Sequence, residues 1–212
     1  MKHLGILLSG RGSNFVAIAD AIDRGKLEDA EISVVISNRA DAAGIAAARE
    51  RGCNARVIEA RGRKRAEQDA EIVACLREHA VDLVCLAGYM RLLSPEFISA
   101  YPDAILNIHP SLLPSFPGLD AQAQALAYGV AITGCTVHFV DEQLDHGVIV
   151  LQRAVSVLHG DDEESLSGRI LEQEHVAYPE AISRVLSGQF AIVDRRYVAR
   201  SPQAATLIGE AK

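Results

Sequence analysis

The sequence predicts an α/β protein: a Rossmann-like, doubly wound and mostly parallel sheet with helices on both faces. Short apolar runs alternate with segments of helical periodicity through the first hundred residues, as repeated β–α units require. The first apolar run ends in a glycine-rich turn that leads directly into a helix. With 212 residues, 49% of them hydrophobic, the chain can bury a sizeable core.

Four β–α units occupy the first half of the chain. Three of their predicted strands are apolar runs, typical of strands buried on both faces: Leu4–Leu8, Ile32–Ile36 and Val81–Leu86. Arg56–Ile58 is a weaker predicted strand. Apolar residues at helical spacing predict helices after Phe15, over Ala42–Arg51 and over Lys64–His79.

The second half keeps the α/β character with longer loops. Three prolines in the eight residues 110–117 predict an ordered, non-helical loop. Acidic residues 161–164 suit the first turn of a long helix. The other predicted elements are strand Ala104–Ile108, helix Ala121–Tyr128, and strands Thr133–Val140 and Val148–Val157, which the loop 141–147 joins. We expect a single domain over 1–212, with a phosphate-binding half (about 1–100), a catalytic half (about 101–190) and a tail (191–212).

Composition narrows the range of partners and compartments. The formal net charge of −7 argues against general binding to nucleic acid or anionic membranes, which clustered positive charge would hold. The sequence contains neither an 18-residue apolar stretch nor a signal-like N-terminal run. The four cysteines form no CxxC pair. These features favour a reduced, cytoplasmic setting. The sequence is silent on oligomeric state, and we expect either a monomer or a homodimer.

The loop 10–14, Gly-Arg-Gly-Ser-Asn, is a candidate phosphate site. It follows a strand and opens a helix, where backbone N–H groups and the helix dipole favour an anion. It matches neither a Walker A loop nor GxGxxG, because Phe15 stands where the third glycine belongs. The alternative is a tight turn in which Ser13 or Asn14 caps the helix.

Asn107 and His109 are candidate catalytic residues at the end of a predicted strand. Strand alternation places them on one face, where an amide donor beside an imidazole could stabilise an oxyanion and move a proton. A carboxylate at Asp145 would favour the imidazolium form if the loop brought it close. The alternatives are a hydrogen-bonded core histidine and a solvated turn acid. Metal-ligand spacings such as HExxH are missing from the sequence, so we expect no metal.

Four segments together resemble the folate-dependent phosphoribosylglycinamide formyltransferase family, in its single-activity form. They are Ser9-Gly-Arg-Gly-Ser-Asn14, Ala87-Gly-Tyr-Met-Arg-Leu-Leu93, Asn107-Ile-His-Pro-Ser-Leu-Leu-Pro114 and Leu144-Asp145, and the resemblance extends over about residues 1–190. It implies that 10-formyltetrahydrofolate, as co-substrate, donates a formyl group to the amine of glycinamide ribonucleotide in purine synthesis. No covalent enzyme intermediate is expected.

The resemblance also implies roles for individual residues. Asn107 would hold the oxyanion, His109 would act on the tetrahedral intermediate, and Asp145 would tune His109 and relay protons. The residues implied for the ribonucleotide are Gly12, Ser13, Asn14 and Glu174. Those implied for the folate are Arg65, Met90, Arg91, Leu92, Leu93 and Asn107, with the loop 141–147.

Some positions depart from the family pattern. Ser115 stands where some relatives carry lysine, the segment 120–122 replaces one that is often histidine-rich, and His146, which we expect to face solvent, replaces a small residue. Formyltetrahydrofolate hydrolase is the main alternative, although its relatives carry an extra N-terminal domain. Methionyl-tRNA formyltransferase would need a basic extension, and a non-catalytic nucleotide-binding module would leave Asn107, His109 and Asp145 unexplained.

Overall fold

The computed structural model describes residues 1–200 and contains one large sheet, flanking helices and a small C-terminal hairpin. The strands of the sheet are β1 (Lys2–Leu8), β2 (Ala30–Ser37), β3 (Ala55–Val57), β4 (Leu83–Leu86), β5 (Ile105–His109), β6 (Ile132–Phe139) and β7 (Ile149–Ser156). The helices are α1 (Ser13–Asp23), α2 (Ala43–Glu50), α3 (Arg65–Glu78), α4 (Pro95–Ala100), α5 (Ala121–Tyr128) and α6 (Glu163–Leu186). Strands β8 (Phe190–Val193) and β9 (Arg196–Ala199) form the hairpin.

The large sheet has the strand order β3-β2-β1-β4-β5-β6-β7. Strands β1 to β5 pair in parallel, whereas β6 and β7 are antiparallel additions at one side. The order reverses between β1 and β4, and open α/β sheets place their ligands at the carboxyl ends of the strands around such a point. The predicted mostly parallel α/β sheet is therefore confirmed.

Two apolar clusters cover the two faces of the sheet. Successive residues of β1 point to opposite faces of the sheet and so belong to different clusters. Leu4, Ile6 and Leu8 pack on the face that α1, α2 and α6 cover. Leu7 packs on the other face, in the cluster that α3 and α4 complete. The single sheet therefore unites strands from both halves of the chain, and its carboxyl edge carries the loops that follow β1, β4 and β5.

The structure adds three elements that the sequence analysis did not assign: helix α4 and the two strands of the β8–β9 hairpin. Helix α4 is only six residues long, too short for a periodic signal, and begins where Ser94 accepts a hydrogen bond from the backbone N–H of Phe97. The β8–β9 hairpin occupies part of the predicted tail 191–212, of which residues 201–212 lie outside the described residues. Among the described residues, no helix is long and apolar enough to cross a membrane.

Candidate active site

The loop after β1 turns sharply into α1. Gly12 adopts a left-handed backbone (φ 76°) and serves as the N-cap of α1, so the predicted alternative of a Ser13 or Asn14 cap is wrong. A side chain at Gly12 would also collide with Gly44, since an added Cβ would lie 2.7 Å from its Cα. No side chain of residues 1–200 caps α1, and its first-turn N–H groups have no partner within the helix. These N–H groups can bind an anion.

Ser9 connects this loop to the segment that follows β4. Its hydroxyl donates to Asn38 Oδ1 (2.6 Å) and accepts from the backbone N–H of Met90 (2.9 Å). Its own backbone N–H donates to the carbonyl of Gly88. The loops after β1, β2 and β4 are thus held together through one buried serine.

Glu174 of α6 lies against the start of α1. Its Oε2 accepts a hydrogen bond from Asn14 Nδ2 at 2.7 Å. Burial raises the pKa of Glu174, and the Asn14 hydrogen bond opposes that shift only in part. Asn14 Oδ1 is buried without a partner among the described residues. Ser13 and His175 line an open groove of about 760 Å³ between α1 and α6, beside this pair.

Asn107, His109 and Asp145 lie close together. Strand alternation predicted only that the first two share a face of β5. His109 Nδ1 lies 3.4 Å from Asp145 Oδ2, and the side chains are 5% and 8% exposed. The loop between β6 and β7 therefore folds back over the face of β5. Asp145 is not a solvated turn acid, although sequence alone left that alternative open.

Backbone groups of the proline-rich loop fix this histidine and this carboxylate. His109 Nε2 lies 2.8 Å from the carbonyl of Phe116, and the backbone N–H of Gly118 donates to Asp145 Oδ2 at 2.8 Å. Phe116 and Asp145 both adopt left-handed φ values, 52° and 48°, which are strained for residues other than glycine. A protonated His109 would donate to Phe116 through Nε2 and face Asp145 through Nδ1.

His138 is a member of this cluster that the sequence analysis missed. It lies opposite Asn107 in the β5–β6 ladder, with its Nε2 3.3 Å from Asn107 Nδ2 and 3.8 Å from Asp145 Oδ1. Burial lowers the pKa of His138, which favours the neutral ring. Its Nδ1 is 2.7 Å from the carbonyl of Phe139, so Nδ1 carries the hydrogen and Nε2 accepts from Asn107.

A polar network behind the cluster holds the proline-rich loop to β6. Thr136 donates to the carbonyl of Ser111 and accepts from the backbone N–H of Leu113. Gln152 of β7 donates to both Thr136 Oγ1 and the carbonyl of Leu113. The loop that carries Phe116 and Gly118 is therefore anchored to two strands.

The residues implied for the folate are spread over the same edge of the sheet. Met90 and Leu92 are exposed, as are Leu119 and Leu144 from the two neighbouring loops, whereas Leu93 is buried. Arg91 is half-buried. Arg65 is the exposed first residue of α3, and no described contact connects it to the cluster.

Comparisons with known proteins show the family of this chain. A family model described as formyl transferase matches residues 2–182, most of the chain. The chain belongs to this family.

Within the formyl transferase family, the chain is 43% identical over 188 residues to phosphoribosylglycinamide formyltransferase of Escherichia coli K12, covering 88% of each protein. It is 47% identical over 187 residues to the human trifunctional purine biosynthetic protein adenosine-3, covering 88% of this chain but only 18% of that protein. The crystal structure of glycinamide ribonucleotide transformylase 1 from Symbiobacterium toebii superposes with a TM-score of 0.92 at 48% identity, covering 95% of each chain.

The departures from the formyl transferase pattern have defined places in the structure. The carbonyl of Ser115 accepts from the Ser111 hydroxyl, and Asp120 is the left-handed N-cap of α5. The side chain of His146 is 40% exposed, but it bonds to Asp141 (2.7 Å) rather than facing only solvent. In the described part of the chain, no three His, Cys, Asp or Glu residues are grouped as a metal site would require.

Proposed function

We propose that this protein transfers the formyl group of 10-formyltetrahydrofolate to the amine of glycinamide ribonucleotide. The products would be N-formylglycinamide ribonucleotide and tetrahydrofolate. The observation that carries the proposal is the cluster of partly buried Asn107 with the buried side chains of His109 and Asp145, in a chain of the formyl transferase family. Relatives named phosphoribosylglycinamide formyltransferase and glycinamide ribonucleotide transformylase align with 88% and 95% of this chain.

The ribonucleotide would bind at the start of α1. Its phosphate would lie on the free N–H groups at Gly12, Ser13 and Asn14, where the helix dipole supplies positive potential. Glu174, held by Asn14, can accept hydrogen bonds from sugar hydroxyls on the same side. This arrangement directs the glycinamide amine along the carboxyl edge of the sheet toward β5.

Formyl transfer needs one new C–N bond, one broken C–N bond and one relocated proton. The amine nitrogen attacks the formyl carbon, and the electron pair of the C=O bond moves onto the oxygen. Asn107 Nδ2 donates one hydrogen bond to His138 Nε2, and its second hydrogen is available for this oxyanion. A protonated His109 adds positive charge beside it. The intermediate collapses as N10 of the folate leaves, and the proton lost by the amine is delivered to N10.

Asp145 has two functions in this scheme. At 3.4 Å from Nδ1 it holds the His109 ring in place, and it offers a carboxylate that can take up and return a proton. Both ring nitrogens of His109 are engaged, with Phe116 and Asp145, so the ring is held in one orientation. We therefore assign His109 an electrostatic function in the transition state and the proton relay to Asp145 and water.

The folate would lie across the exposed apolar residues beside the cluster. Met90, Leu92 and Leu144 offer the contact area that a pterin ring buries. Arg91 and the exposed Arg65 supply positive charge for the anionic glutamate tail. We assign the substrates as the only required partners, with no metal.

We also propose a reducing, cytoplasmic setting, which the four free cysteines support. Monomer or homodimer stays a prediction, as does the division into a phosphate-binding half and a catalytic half.

The decisive experiment follows the absorbance of a 10-formyl folate with the purified protein, with and without glycinamide ribonucleotide. We expect the formyl group to be lost only when the ribonucleotide is present. Equal loss of the formyl group without the ribonucleotide would mean that the protein hydrolyses the formyl folate. No loss in either case would favour a non-catalytic nucleotide-binding module. A His109→Ala variant should lose at least about a hundredfold in kcat.

A further inference from the structure

The turn of the β8–β9 hairpin hydrogen-bonds through Arg195 to the loop 141–147, which carries Asp145. We propose that this hairpin is a clasp for the loop, with Arg195 and His146 as positioning residues that hold Asp145 over His109. The inference rests on the proposed function for its effect on catalysis, whereas the clasp itself is a property of the fold.

A short polar chain connects the hairpin to the loop. Arg195, in the turn between β8 and β9, donates through Nη2 to the backbone carbonyl of His146 at 2.5 Å. His146 Nδ1 lies 2.7 Å from Asp141 Oδ2, near the other end of the loop. Arg195 thus fixes the peptide group one residue after Asp145, and His146 links that residue to the start of the loop.

Aromatic contacts hold the hairpin in place beneath this polar chain. The ring of Tyr197 in β9 meets Phe139, the last residue of β6, edge-on at 5.4 Å between centroids. Phe190 stacks on Tyr197 at 5.3 Å, and the guanidinium of Arg184 lies over Phe190. Phe139 immediately follows His138, so the hairpin contacts the strand that enters the loop as well as the loop itself.

The loop needs external support because its own conformation is unfavourable. Asp145 holds a left-handed backbone at φ 48°, a conformation that non-glycine residues adopt only when their surroundings impose it. On the inner side, the backbone N–H of Gly118 holds the carboxylate. On the outer side, the contact from Arg195 to the following carbonyl supplies the opposing restraint. Without it, Asp145 could move away from His109.

The test compares Arg195→Ala with Arg196→Ala. Arg196 is the matched control because it is the adjacent exposed arginine of the same hairpin and has no hydrogen bond or ion pair to the loop within residues 1–200. Hydrogen–deuterium exchange of peptides covering 141–147, measured without substrates, should be about tenfold faster in Arg195→Ala. Arg196→Ala should match the unmodified protein.

Kinetics then test the consequence for catalysis. We expect Arg195→Ala to lower kcat about threefold to tenfold, with an unchanged melting temperature and an unchanged KM for the ribonucleotide. Arg195→Lys should recover most of the loss, because an ammonium can still donate to the His146 carbonyl. A lost hydrogen bond with a merely structural function would lower the melting temperature instead.

Each outcome decides one part of the proposal. Equal exchange in Arg195→Ala and Arg196→Ala would overturn the clasp. Faster exchange with unchanged kcat would overturn the positioning function of Arg195. If the unmodified protein transfers no formyl group, the proposed function fails, while the exchange comparison still tests the clasp.

Discussion

Burial keeps His138 neutral, and that charge state decides which way the Asn107 amide faces. A neutral ring with its hydrogen on Nδ1 offers a lone pair on Nε2, to which Asn107 Nδ2 donates. The oxygen of the Asn107 amide consequently points elsewhere, and a hydrogen stays available for a substrate oxygen. A residue on the neighbouring strand thus orients the group that would hold the oxyanion.

Replacing His138 should therefore reduce catalysis without removing a substrate contact. We expect His138→Leu to lower kcat about tenfold, equivalent to ~1.4 kcal/mol, with little change in either KM. His138→Gln, whose carbonyl oxygen can accept from Asn107, should lose less. Steady-state kinetics on both variants check this, and a loss of the same size in both would mean that the acceptor on His138 is irrelevant.

Glu174 illustrates a cost in stability at a proposed binding position. Burial raises the pKa of Glu174 in the folded state above its unfolded value near 4.5. The buried carboxyl is therefore tolerated best when protonated, and the free energy of unfolding falls as the pH rises from about 4.5 through the folded-state pKa. We expect Glu174→Gln to raise the melting temperature at pH 7 and the KM for the ribonucleotide. Thermal melts at several pH values should show the difference disappearing below about pH 4.5.

The sequence carries enough information to find part of this site. Alternation along a strand placed Asn107 and His109 on one face, because a period of two is a local property. Asp145 was a candidate from the residues, but only the resemblance placed it beside His109, since its position depends on a loop folding back over the sheet. His138 was missed because its importance depends on the β5–β6 register, and a sequence does not state which residue of one strand lies opposite a given residue of another.

At the scale of elements, β6 connects the catalytic loop to the rest of the sheet through Thr136. Its hydroxyl takes part in three hydrogen bonds, with Ser111, Leu113 and Gln152. The same strand contains Thr133, equally buried, whose hydroxyl has no hydrogen-bond partner among the described residues. The two threonines therefore provide an internal comparison.

Substitution by valine, which has nearly the same shape, should separate these two positions. Thr136→Val leaves the buried N–H of Leu113 unpaired and should cost about 2–3 kcal/mol of unfolding free energy. Thr133→Val removes a hydroxyl that is buried without a partner, and should be neutral or stabilising by up to about 1 kcal/mol. Urea denaturation of both variants measures the difference; similar losses would show that the network does not anchor the loop.

Elements were predictable where a local sequence signal marks them. The long helix α6 was expected from its acidic first turn, and the structure gives it a capping box between Asp162 and Ser165. What the sequence could not reveal is the contact that α6 makes in the centre of the molecule, where the Tyr178 hydroxyl reaches the carbonyls of both Leu86 and Leu106. This contact joins the last residue of β4 to the second residue of β5.

At the scale of the whole molecule, the proposed ribonucleotide site spans two helices that are distant in sequence, α1 and α6. A ligand that binds only the folded chain stabilises it by about 2.7 kcal/mol at a concentration of a hundred Kd. We expect the ribonucleotide to raise the melting temperature of the unmodified protein and of His109→Ala equally. Ser13→Ala should show a smaller rise, and an equal rise in all three would place the phosphate elsewhere.

The seven-stranded sheet ends on one side in β3, a strand of only three residues whose central Arg56 is exposed. Unpaired strand edges are templates on which other chains can add, and shortness and charge are what discourage that addition. This edge strand therefore offers few backbone groups to which a strand of another chain could pair. Concentrated stocks of the folded chain should resist fibril growth from that side.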